Sequence, residues 1–189
     1  MKVFIIVLVL VFSLQSWTKA DDIRDFQIEG MSIGDSALNY FSKKKITNNL
    51  TKNYKDNEFI EAEIEVDSDK YDVVQIRFKK TDNKYKIVSM GGLKWTIDNI
   101  DLCYKIQNEI YNEVFNIFKN AKKNNYKKKH SGDPSGKSTN VTKGLKFKNG
   151  DVVTIQCYDW SKKMKYWDHL RVSISSKVFE DWLRYKAYN

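Results

Sequence analysis

Phe59-Ile60-Glu61-Ala62-Glu63-Ile64-Glu65-Val66 alternates apolar and acidic residues at nearly every step. A period of two places Ile60, Ala62, Ile64 and Val66 on one face of an extended chain and the three glutamates on the other. That is the pattern of a strand with a core side and a water side. Residues 71–79 repeat it with Val74, Ile76 and Phe78 inward, Asp82-Asn83 supplies a turn, and residues 85–95 return as a third strand. Gly91-Gly92 within that strand predicts a bulge or kink. Three successive strands with short connections predict an antiparallel sheet.

Upstream of these strands, Ser32 and Asp35 have capping-box spacing, and Ile33, Ala37, Tyr40 and Phe41 recur on one face, so a first helix is expected there. Residues 42–55 are polar and read as a broken second helix and loop. Downstream, residues 98–121 carry the longest helical stripe: Ile100, Cys103, Ile110, Val114, Ile117 and Phe118. Residues 122–138 read as a loop rich in Lys, Asn, Gly and Ser. Asn149-Gly150 is a hairpin signal between strands at 145–148 and 152–160. Residues 170–175 alternate as another strand, and 176–187 close with a helix burying Phe179, Trp182 and Leu183. The order α-βββ-α-βββ-α predicts an α+β fold: an antiparallel sheet of about six strands packed against a long central helix. Two αβββ lobes side by side satisfy the same order.

The N-terminus reads as an export signal. Lys2 precedes an apolar run over residues 3–14, broken only by Ser13, and Thr18 and Ala20 supply the small residues before a cleavage site. Cleavage after Ala20 leaves residues 21–189 as a single α+β domain in the bacterial periplasm or outside the cell. The run is shorter than the roughly 20 apolar residues of a membrane span, no Cys follows it to accept a lipid, and no later segment reads as transmembrane. The chain carries +9, and losing Lys2 and Lys19 leaves about +7. A basic balance suits acidic partners such as an anionic surface component. Yet the only arginines are Arg24, Arg77, Arg171 and Arg184, whereas bidentate phosphate recognition prefers Arg. The lysine excess therefore reads first as compositional bias.

Cys103 lies on the inward stripe of the long helix, and Cys157 is in phase with Val153 and Ile155 on the buried face of its strand. In an exported protein this predicts a disulfide between them; two separate buried thiols are the alternative. No C-x-x-C is present, and neither His130 nor His169 stands at metal-ligand spacing, so no cofactor or metal is expected.

Several motifs look chemical. Residues 132–138, Gly-Asp-Pro-Ser-Gly-Lys-Ser, resemble a phosphate-binding loop but place three residues between the glycines where four are needed. Lys127, Lys128, Lys129, His130 and Lys137 are a candidate anion- or partner-binding patch, set against the commoner reading of a solvated charged loop. Tyr126 is the only aromatic in that run, which gives specific nucleic-acid binding little support. Asp159-Trp160-Ser161 and Asp168-His169 bracket a segment that brings Asp, Ser and His close in sequence, but no nucleophile elbow accompanies them. Asn49 and Asn140 head glycosylation sequons that matter only in a eukaryotic host.

Residues 26–38, Phe-Gln-Ile-Glu-Gly-Met-Ser-Ile-Gly-Asp-Ser-Ala-Leu, resemble the start of a family of small exported bacterial proteins with an I-E-G-[MI]-S-[IVL]-G-D-S-L-L signature. Tyr71-Asp72, Cys103-Tyr104, Ser131-Gly132-Asp133, Gly136-Lys137-Ser138 and residues 157–161 also resemble that family, with Ala37 where the signature has Leu. The resemblance implies export and brings no activity. A weaker one, limited to the first third, is to the helix start of small envelope-assembly lipoproteins. Together these readings favour a non-catalytic exported protein that binds another protein or an envelope component. A periplasmic hydrolase with a site near His169, or a polyanion binder using residues 122–137, are the alternatives.

Overall fold

The computed structural model describes residues 23–189, so the expected export signal lies outside the described residues. Nine strands form one antiparallel sheet: β1 (Leu50–Thr51), β2 (Phe59–Glu65), β3 (Val73–Lys79), β4 (Ser89–Trp95), β5 (Lys122–Lys123), β6 (Tyr126–Lys129), β7 (Thr139–Lys146), β8 (Val152–Asp159) and β9 (His169–Ser175). Their spatial order is β1-β2-β3-β4-β9-β8-β7-β5, with β6 also paired to β7. The α+β class and the antiparallel sheet agree with the sequence pattern, but nine strands replace the expected six. The additional three, β1, β5 and β6, come from polar stretches read as loops, whose hydrogen bonds to a neighbouring strand leave no apolar periodicity. Strand β4 pairs with β9 along its full length, from Ser89↔Ser175 to Trp95↔His169, which joins the two halves into one sheet.

The helices are α1 (Lys43–Asn48), α2 (Ile100–Ile117) and α3 (Lys177–Tyr185). Helix α2 is long as expected but not central, because it packs over β7, β8 and β9. The β2–β4 half of the same face is covered by the segment from Ile23 to Ile46, whose Ile23, Ile28, Met31, Ala37 and Ile46 join the main core. Helix α2 buries Cys103, Gln107, Tyr111 and Val114, followed by Phe118 just past its end. Ile117 of the expected stripe is exposed. Gln107 lies in the apolar face because its Nε2 donates to the Val141 and Ile155 carbonyls at 2.8 and 2.7 Å.

The helix expected over residues 32–41 does not form. The Ser32 backbone N–H donates to Asp35 at 2.9 Å, so half of the capping box is present. Gly34, however, adopts φ +98°, which ends any helix before it propagates. A single 3-10 turn at Ala37–Asn39 remains, and α1 begins after Ser42, whose side chain caps Lys45 N. Nor do Gly91-Gly92 make a bulge, since both pair in unbroken register with Gln75 and Val74. Their role is close approach: a Cβ on Gly92 would sit 2.4 Å from the Tyr71 ring, and one on Gly91 would sit 2.9 Å from Ser173 Oγ.

Helix α3 lies on the opposite face of the sheet. Ser176 caps it, and Phe179 and Trp182 pack edge-on against Phe59 at 5.6 and 5.0 Å, forming a second apolar cluster. Burying each of these aromatics contributes roughly 1.5–3 kcal/mol. This second layer changes the β2 reading: Glu61, expected in water, is 1% exposed.

Candidate functional site: an aromatic trough on the open sheet face

Beyond α3 no α-helix among the described residues covers the second face of the sheet, and it forms a trough of about 780 Å³ whose floor residues Gln156 and Tyr158 are themselves largely buried by neighbouring side chains. Strand register builds its floor. Trp95, His169 and Tyr158 lie side by side on β4, β9 and β8, and Leu93, Arg171 and Gln156 form the next row. Because cross-strand partners share a face, the two rows present a continuous surface of rings and hydrogen-bonding groups. The floor continues through Gln75, Glu63, Arg77 and Glu61 on β3 and β2. Four segments outside the strands also line it: Tyr54, the β6–β7 loop carrying His130 and Gly132, the β8–β9 connection carrying Trp160, Tyr166 and Trp167, and Tyr188 of the C-terminal segment.

The aromatic groups brace one another. The His169 ring stacks on Tyr158 at 4.6 Å and 14°, and meets Trp95 edge-on at 5.5 Å. Trp160 contacts His130 at 4.3 Å and Tyr166 at 4.9 Å. Tyr166 and Trp167 remain 60% and 56% exposed, a large apolar area held at the surface. Their connection is anchored at both ends: Asp168 accepts from Trp160 N at 2.7 Å, and Ser161 Oγ donates to Asp133 at 2.9 Å.

Asp133 explains residues 131–138 better than a nucleotide does. Its carboxylate accepts from Ser135 N and Oγ, Ser138 N and Oγ, and Ser161 Oγ, all within 2.9 Å. These bonds, led by that from Ser138, hold its pKa well below the usual carboxylate range. The loop is thereby pinned to the end of β8, which places His130 and Gly132 beside the trough.

Both histidines are neutral near pH 7, with opposite tautomers. Burial pushes His169 down to about 4, despite the Trp167 carbonyl at its Nδ1, 2.9 Å away. That carbonyl requires an N–H donor, so Nδ1 carries the proton and Nε2 is an acceptor. His130 is likewise lowered, by burial and then by Lys128 and Arg171. Its Nδ1 accepts from Gly132 N at 3.2 Å, which puts its proton on Nε2.

Two arginines share the face in different states. Arg77 forms a buried ion pair with Glu61 and also donates to Gln75 Oε1 at 2.8 Å. Burial alone would raise the Glu61 pKa, but Arg77, then Arg171 and Asn53, outweigh it and hold the carboxyl below its ordinary value. Arg171 donates Nε and Nη2 to the neutral Gln156 Oε1 at 3.0 and 2.6 Å and lies 5.0 Å over the Tyr158 ring. Among the described residues, no carboxylate comes within 4 Å of it.

The basic run divides. Strand alternation in β6 sends Lys128 to the trough face, in line with Asn140 and Tyr158, and sends Lys127 and Lys129 to the other face. The stretch read as a loop is thus partly an edge strand, where lysines discourage pairing with another chain. Lys137 is exposed on the Asp133-bound loop. Asp, Ser and His do not form a relay near His169. Ser161 Oγ is bound to Asp133, Asp168 takes the Trp160 N–H, and His169 Nδ1 faces a backbone carbonyl. Cys103 and Cys157 sulfurs lie 2.06 Å apart, bonding distance, tying α2 to β8 beneath the trough. Among the described residues, no three His, Cys, Asp or Glu side chains converge as metal ligands, and no helix is long and apolar enough to cross a membrane.

The trough is not legible in the sequence because Trp95, Tyr158, Trp160 and Trp167 are scattered over β4, β8 and the β8–β9 connection. The available signal was the second face of the strands: Glu61, Glu63, Gln75, Arg77, Gln156 and Arg171 are long polar groups in register, too many for a plain water-facing side. No family model, curated protein or solved structure matches this chain.

Proposed function

We propose that the mature chain is an exported, non-catalytic binding protein that recognises another protein of the cell envelope with the open face of its sheet. The observation that carries this reading is the composition of the trough: three Trp, four Tyr and a half-buried Arg171 around one concavity of about 780 Å³. Trp, Tyr and Arg are the residues that dominate binding energy at protein interfaces. The braced rings also lose little conformational freedom when a partner arrives, which favours affinity. The export signal and the sulfur pair support placement in an oxidising compartment.

A hydrolytic reading of the same trough rests on neutral His169, whose Nε2 is an acceptor. A histidine held near 4 is a weak base, and the Ser161 hydroxyl is committed to Asp133. The test is a photo-crosslinking amino acid at position 166 or 167 in growing cells of the native host, with position 105 on the exposed side of α2 as control. A discrete adduct with an envelope protein from 166 and 167, absent from 105, supports the reading. Equal adducts from all three positions, or none from any, overturn it.

A further inference from the structure

We propose that Arg171 is a carboxylate subsite, and that the trough takes an acidic loop of a partner protein, with an Asp or Glu seated on the guanidinium and its neighbours against Tyr166 and Trp167. This rests on the binding reading above and adds the chemistry of the occupant.

The charges of the trough are complementary to an acidic occupant. The trough holds two carboxylates, and both are engaged. Glu61 pairs with Arg77 and accepts from Asn53 at 2.6 Å, and Glu63 accepts from Gln75 Nε2 at 2.6 Å. Arg77 is spent on Glu61. Arg171 has only a neutral amide oxygen as acceptor, and that oxygen takes the Nε–Nη2 edge. Nη1 donates to no group among the described residues, so the end of the guanidinium is left for a second, planar acceptor. A carboxylate matches that fork bidentately. Tyr158 below and Gln156 beside fix the plane of the guanidinium before any ligand arrives. Lys165 also lines the trough and Lys128 lies on the same face, which adds to the preference for an anionic occupant. Phosphate is the competing anion, and competition with inorganic phosphate separates it from a carboxylate. A peptide loop is favoured over a free acid by the exposed rings of Tyr166 and Trp167, which give flanking side chains something to cover.

The experiment pans a disulfide-constrained random heptapeptide library against residues 21–189. Each recovered loop is then measured by calorimetry on the wild type, Arg171→Gln, Arg171→Lys and Tyr166→Ala/Trp167→Ala. Thermal melts confirm that each variant folds. Expected are loops enriched in Asp or Glu beside an aromatic residue. They bind Arg171→Gln about tenfold or more weakly, as for loss of a hydrogen-bonded charge pair, with Arg171→Lys in between, and excess inorganic phosphate competes poorly. Neutral loops that need Tyr166 and Trp167 but ignore Arg171 overturn the carboxylate subsite and leave the binding face standing. Loops indifferent to all of these variants overturn both. Displacement by phosphate at low concentration overturns the choice of a carboxylate.

Discussion

Replacing Glu61 by Gln tests whether the second layer of the fold is real. The substitution keeps shape and removes the counterion of Arg77, itself 5% exposed. Breaking a buried ion pair from one side costs about 3–5 kcal/mol. The lower end applies here, because Arg77 retains Gln75 Oε1 at 2.8 Å and Tyr54 OH at 3.2 Å. About 3 kcal/mol in a domain of this size lowers Tm by roughly 6–12 °C. Arg77→Met leaves Glu61 buried with Asn53 and Thr51 as partners. Its cost shrinks in acid, where burial makes the orphaned carboxyl take a proton. Glu61→Gln combined with Arg77→Met removes both charges and costs less than the sum of the two single changes by about 2 kcal/mol. In the wild type the folded Glu61 pKa lies below its ordinary 4.5. The pair therefore stabilises fully above that value and its contribution fades as pH falls through the folded pKa. Urea unfolding followed by Trp fluorescence reads all four proteins. A Glu61→Gln cost under about 1 kcal/mol, or additivity within about 0.5 kcal/mol, refutes the buried pair.

Three other outcomes follow from separate parts of the molecule. Cys157→Ser removes a link across 54 residues, worth about 4 kcal/mol in the chain-entropy model; unchanged urea midpoints, or two alkylatable thiols in unreduced protein, contradict it. Gly92→Ala drives a methyl into the Tyr71 ring and destabilises by about 1–3 kcal/mol, an effect that Tyr71→Ala in the same chain should relieve. His169 titrates near 4 when folded against 6.5 ordinarily. Protonation thus favours the unfolded chain, and stability declines as pH falls from about 6.5 toward 4. His169→Phe flattens much of that limb, whereas a wild-type curve flat from pH 7 to 5 refutes the desolvated, neutral ring.

Strands with one apolar face were legible because their period of two is set by burial alone, and residues 59–95 show it with little interference. The Cys103–Cys157 pairing was legible for the same reason, as both residues fall in phase with neighbours that face one core. Residues 32–41 misled because a capping box is local, whereas Gly34 at φ +98° is selected by the turn the segment must make over the sheet. Strands β5 and β6 were hidden because edge strands exposed on both faces carry no hydrophobic pattern. Glu61 misled in the opposite direction: alternation says which residues share a face, not whether Asn53 and Tyr54, with Tyr54 packed on α3, will cover it. The candidate site was the least legible part, since it exists only once β4, β8 and β9 lie side by side.

The most direct test of the binding face uses the partner captured by the cross-link. Its affinity is measured for wild-type protein, for Tyr166→Ala/Trp167→Ala, and for Lys127→Ala/Lys129→Ala on the opposite side of the sheet. Two central aromatic anchors at about 2 kcal/mol or more each predict a loss of several hundredfold for the first pair and less than about twofold for the second. A partner that loses affinity with the lysines and keeps it without the aromatic rings contradicts the account.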